Sequence, residues 1–526
     1  MVAPLKRRIL WVDDEVDLLT PHRLLLERRG YEVDTIPNGD DALALLRRAS
    51  YDLVLLDEEM PGRRGLAVLD EIKALDPSAA VVMVTKSEED ATLREAIGRQ
   101  VQDYLVKPAS PRQVLSVVAR LLEGAELRHD VLAKGFVRRF QELHGAIGHD
   151  LDWRGWADLY SELVDWELAL TEAEEHGLVD SLATLLDNVR REFADFVVRG
   201  YRGWLRDLDG ARPPLSVDIV RDFLLPALRP EGPVAFVIVD CLRLDQWRAL
   251  RPAIAEEFEV EESLYYSILP TATPYARNAI FSGWFPDELA RRRPEWWGTS
   301  EDTSLNAFED ELFADQIAAL TNGRVATRYE KIFSAQDGEA ALRRLPGLLE
   351  SAGAVALVFN FVDLLTHGRT ESSVLLEIAR DVEALRRLTV AWYEGSSLRE
   401  ALREFARRRV PVLLTTDHGS VHCKRPATVY AKRDASANLR YKFGEDLRAE
   451  QPATVYAVTD GREIRMPRGS LKTNYLIARE DHFFVYPTKL REYQARYRDN
   501  FLHGGISPEE MILPVALLTP RGHRRA

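Results

Sequence analysis

"VPVLLTTDHG", residues 410–419, is an apolar run that ends abruptly at two adjacent ionisable residues, Asp417 and His418. The apolar part has the length of a buried strand. The same event recurs in the C-terminal half, where "VAFVIVD" ends at Asp240 and "VALVFNFVD" ends at Asp363. Short apolar strands that alternate with helical stretches indicate a parallel α/β sheet. Taken alone, the pair at the end of 410–419 is better explained as a helix cap, but its recurrence predicts a shared site.

The composition is that of an ordinary globular protein, with 46% apolar and 29% charged residues over a length of 526, which predicts about two to four domains. A formal charge of −14 argues against general nucleic-acid binding, although a local basic patch would still allow it. The two cysteines form no CxxC motif, which suits a reducing compartment and argues against a cysteine zinc site. Without a signal-peptide pattern or a long apolar run, we expect a cytoplasmic protein with no transmembrane segment.

Three regions follow one another along the chain. Residues 1–122 alternate five apolar runs with helix-period stretches, which predicts a doubly wound (βα)5 domain. In residues 123–210 the strand signals vanish and apolar residues recur at three and four spacing, which indicates a bundle of about three helices. After the turn-rich "GARPPLS", residues 211–526 alternate strands and helices again and predict a larger α/β domain.

Charged or hydroxyl side chains follow four strands of the N-terminal region: Asp13 and Asp14 the first, Asp57 the third, Thr85 the fourth and Lys107 the fifth. The carboxyl ends of parallel strands face one crevice. Three carboxylates there repel one another unless a cation lies among them, and oxygen ligands suit Mg²⁺. A carboxylate beside Mg²⁺ and a lysine can accept a phosphoryl group. Helix capping explains one such aspartate well, but not the whole set.

These residues, with "VDDE", "LLDEEMPG" and "KP", resemble the motifs of the response-regulator receiver family over residues 5–122. The resemblance implies that a partner sensor histidine kinase phosphorylates Asp57. It also implies that Thr85 and Tyr104 are switch residues, that Lys107 contacts the phosphoryl group, and that the changed surface favours a homodimer. An aspartyl phosphate would then act as a local switch on a bistable element.

The C-terminal region offers a second ligand set. Asp363 and His367 lie one helical turn apart, so both side chains can point to one place. His503 precedes two glycines, which allow close approach of the backbone. Mixed carboxylate and imidazole donors suit Zn²⁺, or Mn²⁺ if oxygen donors dominate, and a pair of such ions assists in-line displacement at phosphorus. The candidate ligands are Asp240, Asp363, His367, Asp417, His418 and His503.

The segment "LPTATPYARNAIFSG", residues 269–283, offers a nucleophile. Either Thr271 or Thr273 would place a hydroxyl at the start of a predicted helix, where unpaired amides favour a phosphate. Arg277 lies one turn further on and is a candidate for binding phosphate oxygens. The alternative interpretation is that the threonine is an ordinary N-cap.

Residues 211–526 resemble the PglZ branch of the alkaline phosphatase superfamily, because "VDCLRLD", "PTATPYARNAIFSG", "FVDLLTH", "TTDHG" and "HGGISPEEMILP" come in that family's order. The resemblance implies two zinc sites, one formed by Asp363, His367 and His503 and the other by Asp240, Asp417, His418 and the threonine. In related enzymes the nucleophile lies about ten residues before the glycine that ends this motif. Gly283 therefore favours Thr273, while the "PT" start keeps Thr271 open.

No match is found for the third-metal ligands of alkaline phosphatase itself, which favours phosphodiester over phosphomonoester substrates. The segments 431–447 and 468–480 resemble cap insertions above the site. Basic and aromatic residues there could hold a nucleotide by charge and stacking, or form an ordinary solvated surface. The candidate substrate-binding residues are Lys432, Arg440, Tyr441, Lys442, Lys472 and Asn474.

The order of receiver, helical connector and PglZ domain resembles PorX-type response regulators. The resemblance implies control of type IX secretion, with a sigma factor and an inner-membrane secretion-motor protein as further partners. The expected reaction is hydrolysis of a cyclic or linear oligonucleotide by attack of Thr273 on phosphorus. The rival interpretation is an output domain that only binds a partner protein, since metals also stabilise folds without catalysing anything.

Overall fold

The computed structural model describes residues 7–77, 79–86, 101–122, 124–147, 151–206, 212–229, 232–297, 306–369, 372–432, 436, 438–467, 470 and 472–522. The chain divides into two compact units, Met1–Gly135 and Phe136–Ala526.

The first unit contains a five-stranded sheet in the order β2-β1-β3-β4-β5, with every neighbouring pair parallel. Its strands are β1 Arg8–Val12, β2 Glu32–Ile36, β3 Leu53–Asp57, β4 Val81–Thr85 and β5 Asp103–Val106. Its helices are α1 Thr20–Arg28, α2 Gly39–Leu46, α3 Gly65–Leu75 and α4 Pro111–Leu122. The helix predicted between β4 and β5 falls on residues 87–100, outside the described part of the chain.

Both faces of this sheet are covered. Ile9 and Trp11 pack in one hydrophobic cluster, while Leu10 and Val12 pack in the other. Alternate side chains of a strand point to opposite faces, so a strand buried on both sides must be continuously apolar. This two-sided burial confirms the doubly wound receiver fold predicted from the sequence.

Three helices follow, as predicted for the middle region. They are α5 Gly124–Ala146, α6 Trp153–Glu172 and α7 His176–Trp204. Helix α6 begins after Asp152, whose side chain accepts a hydrogen bond from the Gly155 amide. Along α7, the side chains of Val189, Phe193, Val197 and Tyr201 recur every four residues and are fully buried. This stripe packs α7 against the rest of the second unit, for example through the contact of Phe193 with Tyr266.

The second unit is built on a six-stranded sheet in the order β7-β19-β10-β6-β9-β8. The four strands from β10 to β8 are parallel, and β19 and β7 add an antiparallel edge. The strands of this sheet are β6 Val234–Val239, β7 Phe258–Tyr266, β8 Thr327–Ile332, β9 Ala354–Phe359, β10 Val412–Thr415 and β19 Ile512–Pro520. Every residue of β6 and β9 is buried, so these two strands form the centre of the domain.

Helices surround this sheet, and the C-terminal part of the unit adds three smaller sheets. The helices are α8 Leu244–Ala255, α9 Thr273–Ser282, α10 Pro286–Arg292, α11 Glu309–Thr321, α12 Ala335–Ser351, α13 Phe361–Gly368, α14 Ser373–Ile378, α15 Val382–Glu394, α16 Ser397–Arg408, α17 Leu490–Tyr497 and α18 Pro508–Met511. The remaining strands are β11 Val421–Cys423, β12 Arg425–Tyr430, β13 Tyr441–Glu445, β14 Arg448–Ala449, β15 Val455–Val458, β16 Thr473–Ala478, β17 His482–Val485 and β18 Asn500–Leu502.

The small strands pair as β11-β18, β14-β12-β17 and β13-β16-β15. The predicted cap insertions contribute β13 and β16 to the last of these sheets. None of the helices in the described part of the chain combines the length and apolar character that crossing a bilayer demands.

Candidate functional site

The carboxyl end of the first sheet gathers acidic side chains around one lysine. Nζ of Lys107 lies 2.8 Å from Oδ2 of Asp13 and 2.7 Å from Oδ2 of Asp57. Carboxylate oxygens of Asp13, Asp14 and Asp57 lie within 4.8 Å of one another. Burial raises the pKa of Asp57, and the nearby Asp13 carboxylate adds to this, while Lys107 opposes it. Oxygen donors crowded in this way fit Mg²⁺.

The two residues expected to act as switches differ in exposure. Thr85 ends β4 and is buried. Tyr104 lies on β5 with 41% of its surface exposed. The structure therefore presents Tyr104 at the surface, from which the resemblance to receivers implies an inward rotation on phosphorylation.

The second candidate site lies at the carboxyl ends of three adjacent strands, β10, β6 and β9. Asp417 follows β10 and Asp240 follows β6. The sequence pattern placed Asp363 at a strand end, but β9 ends at Phe359 and Asp363 lies in the first turn of α13. His367 lies one turn further along α13, and its Nε2 is 3.4 Å from Oδ1 of Asp363.

Donor atoms of the predicted ligands converge in two neighbouring groups. In the first, Nε2 of His503 lies 3.1 Å from Nε2 of His367 and 3.6 Å from Oδ1 of Asp363. In the second, Nε2 of His418 lies 3.5 Å from Oδ1 of Asp240 and 3.8 Å from Oδ2 of Asp417. The rings of His418 and His503 stack with centroids 4.2 Å apart, so the two groups are contiguous. Nε2 or Nδ1 of His418 is also within 4.8 Å of donor atoms from the first group.

The electrostatics of this cluster fit divalent cations. In the described part of the chain, Oδ1 of Asp363 and Oδ2 of Asp417 are buried acceptors with no hydrogen-bond donor, an arrangement that is costly unless another positive group is present. Burial raises the pKa of Asp240 well above its ordinary value, with Asp417 and Asp363 adding to the effect against Arg277. The pKa of His503 is lowered by burial and by His418, which keeps its imidazole neutral, as a metal ligand must be.

The structure separates the two candidate threonines. Thr273 is the first residue of α9, and its Oγ1 lies 2.9 Å from Nε2 of His418 and 3.5 Å from Oδ1 of Asp240. The N-cap of this helix is Ala272, so Thr273 does not serve as the cap.

Thr271 is fully buried and makes different contacts. Its Oγ1 donates to the Gly505 carbonyl at 2.9 Å and accepts from the Gly504 amide at 3.1 Å. Thr271 therefore holds the turn that follows His503, and Thr273 presents its hydroxyl to the cluster.

Arg277, expected as a phosphate ligand, is buried and engaged with carboxylates. Its Nη1 lies 2.6 Å from Oδ2 of Asp240, and its Nε lies 2.6 Å from Oε1 of Glu309. The side-chain amide of Asn360 donates to the same Oδ2 of Asp240 at 2.7 Å. These contacts leave Oδ1 of Asp240 facing Thr273. The structure thus assigns Arg277 to orienting a carboxylate, because its guanidinium is enclosed among acids.

Sequence reasoning did not identify Asn360 or Glu309. Asn360 could have been found, because it follows the apolar run of β9 as Asp240 follows that of β6. Glu309 begins α11, well away in sequence from every other group of the site, and no local pattern marks it.

The six candidate substrate-binding residues do not form one basic surface. Arg440 and Lys442 are in the interior: Arg440 pairs with Glu510 and donates to the Glu480 carbonyl at 2.9 Å, and Lys442 donates to the Ser436 carbonyl at 2.7 Å. The buried carbonyls and carboxylate on this side explain why these cations face inward.

The other four differ among themselves. Lys472 is exposed. Lys432 pairs with Glu445 and Asp446, and Asn474 exchanges two hydrogen bonds with the backbone of Leu447. The ring of Tyr441 contacts that of Tyr275 on α9 edge-on, with centroids 5.7 Å apart. Tyr441 thus contacts α9, the helix that begins with Thr273.

Three family models match the chain in succession. Residues 9–119 match the response regulator receiver domain, residues 126–205 match the PorX response regulator linker domain, and residues 220–518 match the BREX system PglZ alkaline phosphatase-like domain. The last match covers more than half of the chain.

Curated regulators match about a quarter of the chain. The transcriptional regulatory protein ResD of Bacillus subtilis is 40% identical over 118 residues, which are 22% of this chain and 49% of ResD. ZraR of Salmonella typhimurium is 42% identical over 124 residues, which are 23% of this chain and 28% of ZraR. The chain therefore spans about half or less of the length of these relatives.

Solved structures match a similar share of the chain. A CheY-like receiver domain from Methanospirillum hungatei is 28% identical, with a TM-score of 0.22, over 23% of this chain and 96% of that one. The response regulator TrrA of Thermotoga maritima, solved with Mg²⁺ and BeF, is 34% identical, with a TM-score of 0.21, over 22% of this chain and 99% of that one.

Proposed function

Because the chain belongs to the BREX system PglZ alkaline phosphatase-like family and carries a receiver and a PorX-type linker, we propose that its PglZ domain is a metal-dependent phosphodiesterase. The chain is a two-component response regulator, and its receiver implies a kinase that donates a phosphoryl group. One observation carries the enzymatic proposal. The hydroxyl of Thr273 lies 2.9 Å from His418 among converging carboxylate and imidazole donors.

Two zinc ions would be held by the two donor groups of the cluster. Asp240, Asp417 and His418 would hold the ion beside Thr273, and Asp363, His367 and His503 would hold the other. When bound, such ions lower the pKa of a hydroxyl or water and offset the negative charge that develops at phosphorus.

The chain's own groups prepare Thr273 for attack. Nδ1 of His418 lies 3.1 Å from the Gly419 carbonyl oxygen, so it donates its proton there and leaves the lone pair of Nε2 directed at the cluster. The amides of the first turn of α9 and its dipole favour an anionic phosphoryl group beside Thr273. Oγ1 would lose its proton to water and form a bond to phosphorus as the bond from phosphorus to the ester oxygen breaks, and the departing ester oxygen would take up a proton from water. Water would then cleave the phosphothreonine.

We also propose a substrate class and a pathway for this enzyme. We assign the enzyme to cyclic or linear oligonucleotides and to the control of type IX secretion in the cytoplasm, with a sigma factor and an inner-membrane motor protein as partners. The support is the PorX-type linker match and the domain order. Phosphorylation of Asp57, with Mg²⁺ at Asp13 and Asp14, would favour a homodimer.

The test compares zinc-loaded protein on bis(p-nitrophenyl) phosphate and on p-nitrophenyl phosphate. Thr273→Val and Asp363→Asn should lose at least about a hundredfold in kcat/KM on the diester, because Thr273 is the proposed nucleophile and Asp363 is a proposed zinc ligand. Thr428→Val, on β12, is the matched control and should keep the wild-type rate. Equal rates in all four proteins would contradict catalysis and favour the rival, an output domain that only binds a partner protein.

A further inference from the structure

Helix α7, which lies outside the PglZ match, reaches the candidate catalytic cluster at two points. Arg190 and Tyr201 are eleven residues apart, or about three turns, and so lie on one face of the helix. Arg190 contacts Glu509, and Tyr201 contacts the backbone of Leu269. Both contacts are buried: Leu269 lies in the loop that leads to Thr273, and Glu509 lies on α18, which follows the turn after His503.

The first contact supports the loop of Thr273. The phenol oxygen of Tyr201 accepts a hydrogen bond from the Leu269 amide at 2.7 Å. Leu269 lies two residues before Thr271 and four residues before Thr273. Thr271 in turn forms hydrogen bonds with the turn after His503. Tyr201 has no exposed surface, so no water replaces this partner.

The second contact supports the backbone behind His418. Nε of Arg190 lies 2.7 Å from Oε1 of Glu509, and both side chains are buried. A methyl group at Gly419 would come within 2.0 Å of the Glu509 carbonyl oxygen, so the two backbones touch. Since Gly419 directly follows His418, a shift of Glu509 would be passed to that imidazole.

We infer that Arg190 and Tyr201 are positioning residues for the cluster: Tyr201 fixes the loop that presents Thr273, and Arg190 fixes the backbone against which His418 rests. The inference rests on the proposed function for its kinetic consequence, although the placement of donor atoms is a separate property. The helical linker is thereby a structural part of the site, and not only a tether between receiver and PglZ domain.

The test uses full-length Tyr201→Phe, Arg190→Met and Arg190→Lys. Tyr201→Phe removes one hydroxyl and keeps the ring, so it should fold. Cobalt(II) is the probe, because its visible absorption reports the geometry of imidazole and carboxylate ligands. Arg202→Gln is the matched control. Arg202 lies on α7, but its guanidinium pairs with Glu463 and not with Glu509 or the loop of Leu269.

We expect Tyr201→Phe and Arg190→Met to change the cobalt spectrum and to lower kcat on bis(p-nitrophenyl) phosphate at least about tenfold, with KM changed less than about twofold. Arg190→Lys should restore part of both properties, which a purely structural role would not predict. Arg202→Gln should match the wild type.

Wild-type spectra and wild-type kcat in both Tyr201→Phe and Arg190→Met would overturn the inference. If Arg190→Met fails to fold, Tyr201→Phe and Arg190→Lys decide the outcome. If the wild type itself shows no turnover, the proposed function fails, and the cobalt spectra alone then support or overturn the positioning role.

Discussion

The two oxygens of Asp240 face different surroundings, and this division explains the local chemistry. Oδ2 is occupied by Arg277 and Asn360, while Oδ1 faces Thr273 and His418. A carboxylate held on one side by a guanidinium cannot rotate freely, so the other oxygen stays directed at the cluster. Buried groups around the cluster thus orient the side chains that form it.

Replacing Arg277 tests this arrangement. Arg277→Met would leave Glu309 and Asp240 buried without their shared cation, and should lower the free energy of unfolding of the metal-free protein by about 3–5 kcal/mol. Arg344→Met, which breaks an exposed pair with Glu330, should cost much less. Urea denaturation measures both. Equal costs for the two variants would contradict the orienting role of Arg277.

His422 predicts a pH dependence of stability. Burial, with Lys424 and Arg369 nearby, lowers the pKa of His422 from its ordinary 6.5 to about 4, against the hydrogen bond to the Asp499 carbonyl. Below pH 6.5 the His422 imidazole is protonated in the unfolded chain but stays neutral in the folded chain. This contribution to stability is therefore complete above pH 6.5 and is lost as pH falls towards 4.

The loss should reach at most about 3 kcal/mol. His422→Gln should flatten that part of the profile when unfolding is followed by urea titration between pH 4 and 7. An unchanged slope in His422→Gln would show that another group causes the dependence.

Among the elements, the apolar core strands could be predicted from sequence, whereas the edge strands β7 and β8 and the placement of the helices around the site could not. Apolar runs such as that of β6 are buried on both faces and therefore carry a strong pattern. The apolar run of "VALVFNFVD" predicts a strand that extends to Asp363. In the structure the strand ends at Phe359, and the chain continues into α13. Contacts such as Arg277 with Glu309 join distant segments, and no local pattern in the sequence reports them.

The turn after His503 is held by Thr271, which lies just before the start of α9. Thr271→Val would remove both hydrogen bonds to Gly504 and Gly505, leave a buried amide and carbonyl unpaired, and destabilise the protein by about 1–3 kcal/mol. Thr271→Ser keeps the hydroxyl and should keep most of the stability. Thermal unfolding measures the stability of both variants. Equal melting temperatures for Thr271→Val and Thr271→Ser would contradict this role of the Thr271 hydroxyl.

The whole molecule joins a receiver to a PglZ domain through a helical linker. The domain order could be predicted from sequence, because the receiver and PglZ motifs are local. The contact between α7 and α18 could not, because Arg190 and Glu509 lie far apart along the chain. Asp57 and the cluster around Thr273 belong to different compact units, so each can be tested by itself.

The receiver should control assembly. Acetyl phosphate with Mg²⁺ should shift the wild-type protein towards a dimer in light scattering after size-exclusion chromatography, because an aspartyl phosphate alters the receiver surface. Asp57→Ala should stay unshifted, and Asp70→Asn, an exposed acid on α3 of the same unit, should respond as the wild type does. Equal dimerisation of Asp57→Ala and wild type would contradict this role.

Removing His418 should discriminate between the two proposed ions. His418→Ala should bind less zinc, because the group with Asp240 and Asp417 loses a ligand, while Asp363, His367 and His503 keep theirs. Zinc content after dialysis, measured by mass spectrometry, should fall from about two per chain towards one. An unchanged content would contradict the assignment of His418.

The most direct test of a two-metal site beside Thr273 is anomalous diffraction from crystals grown with Zn²⁺, collected on both sides of the zinc absorption edge. Two peaks are predicted, one among Asp240, Asp417 and His418 and the other among Asp363, His367 and His503. The absence of zinc peaks in this cluster, with zinc bound elsewhere or not at all, would contradict the account.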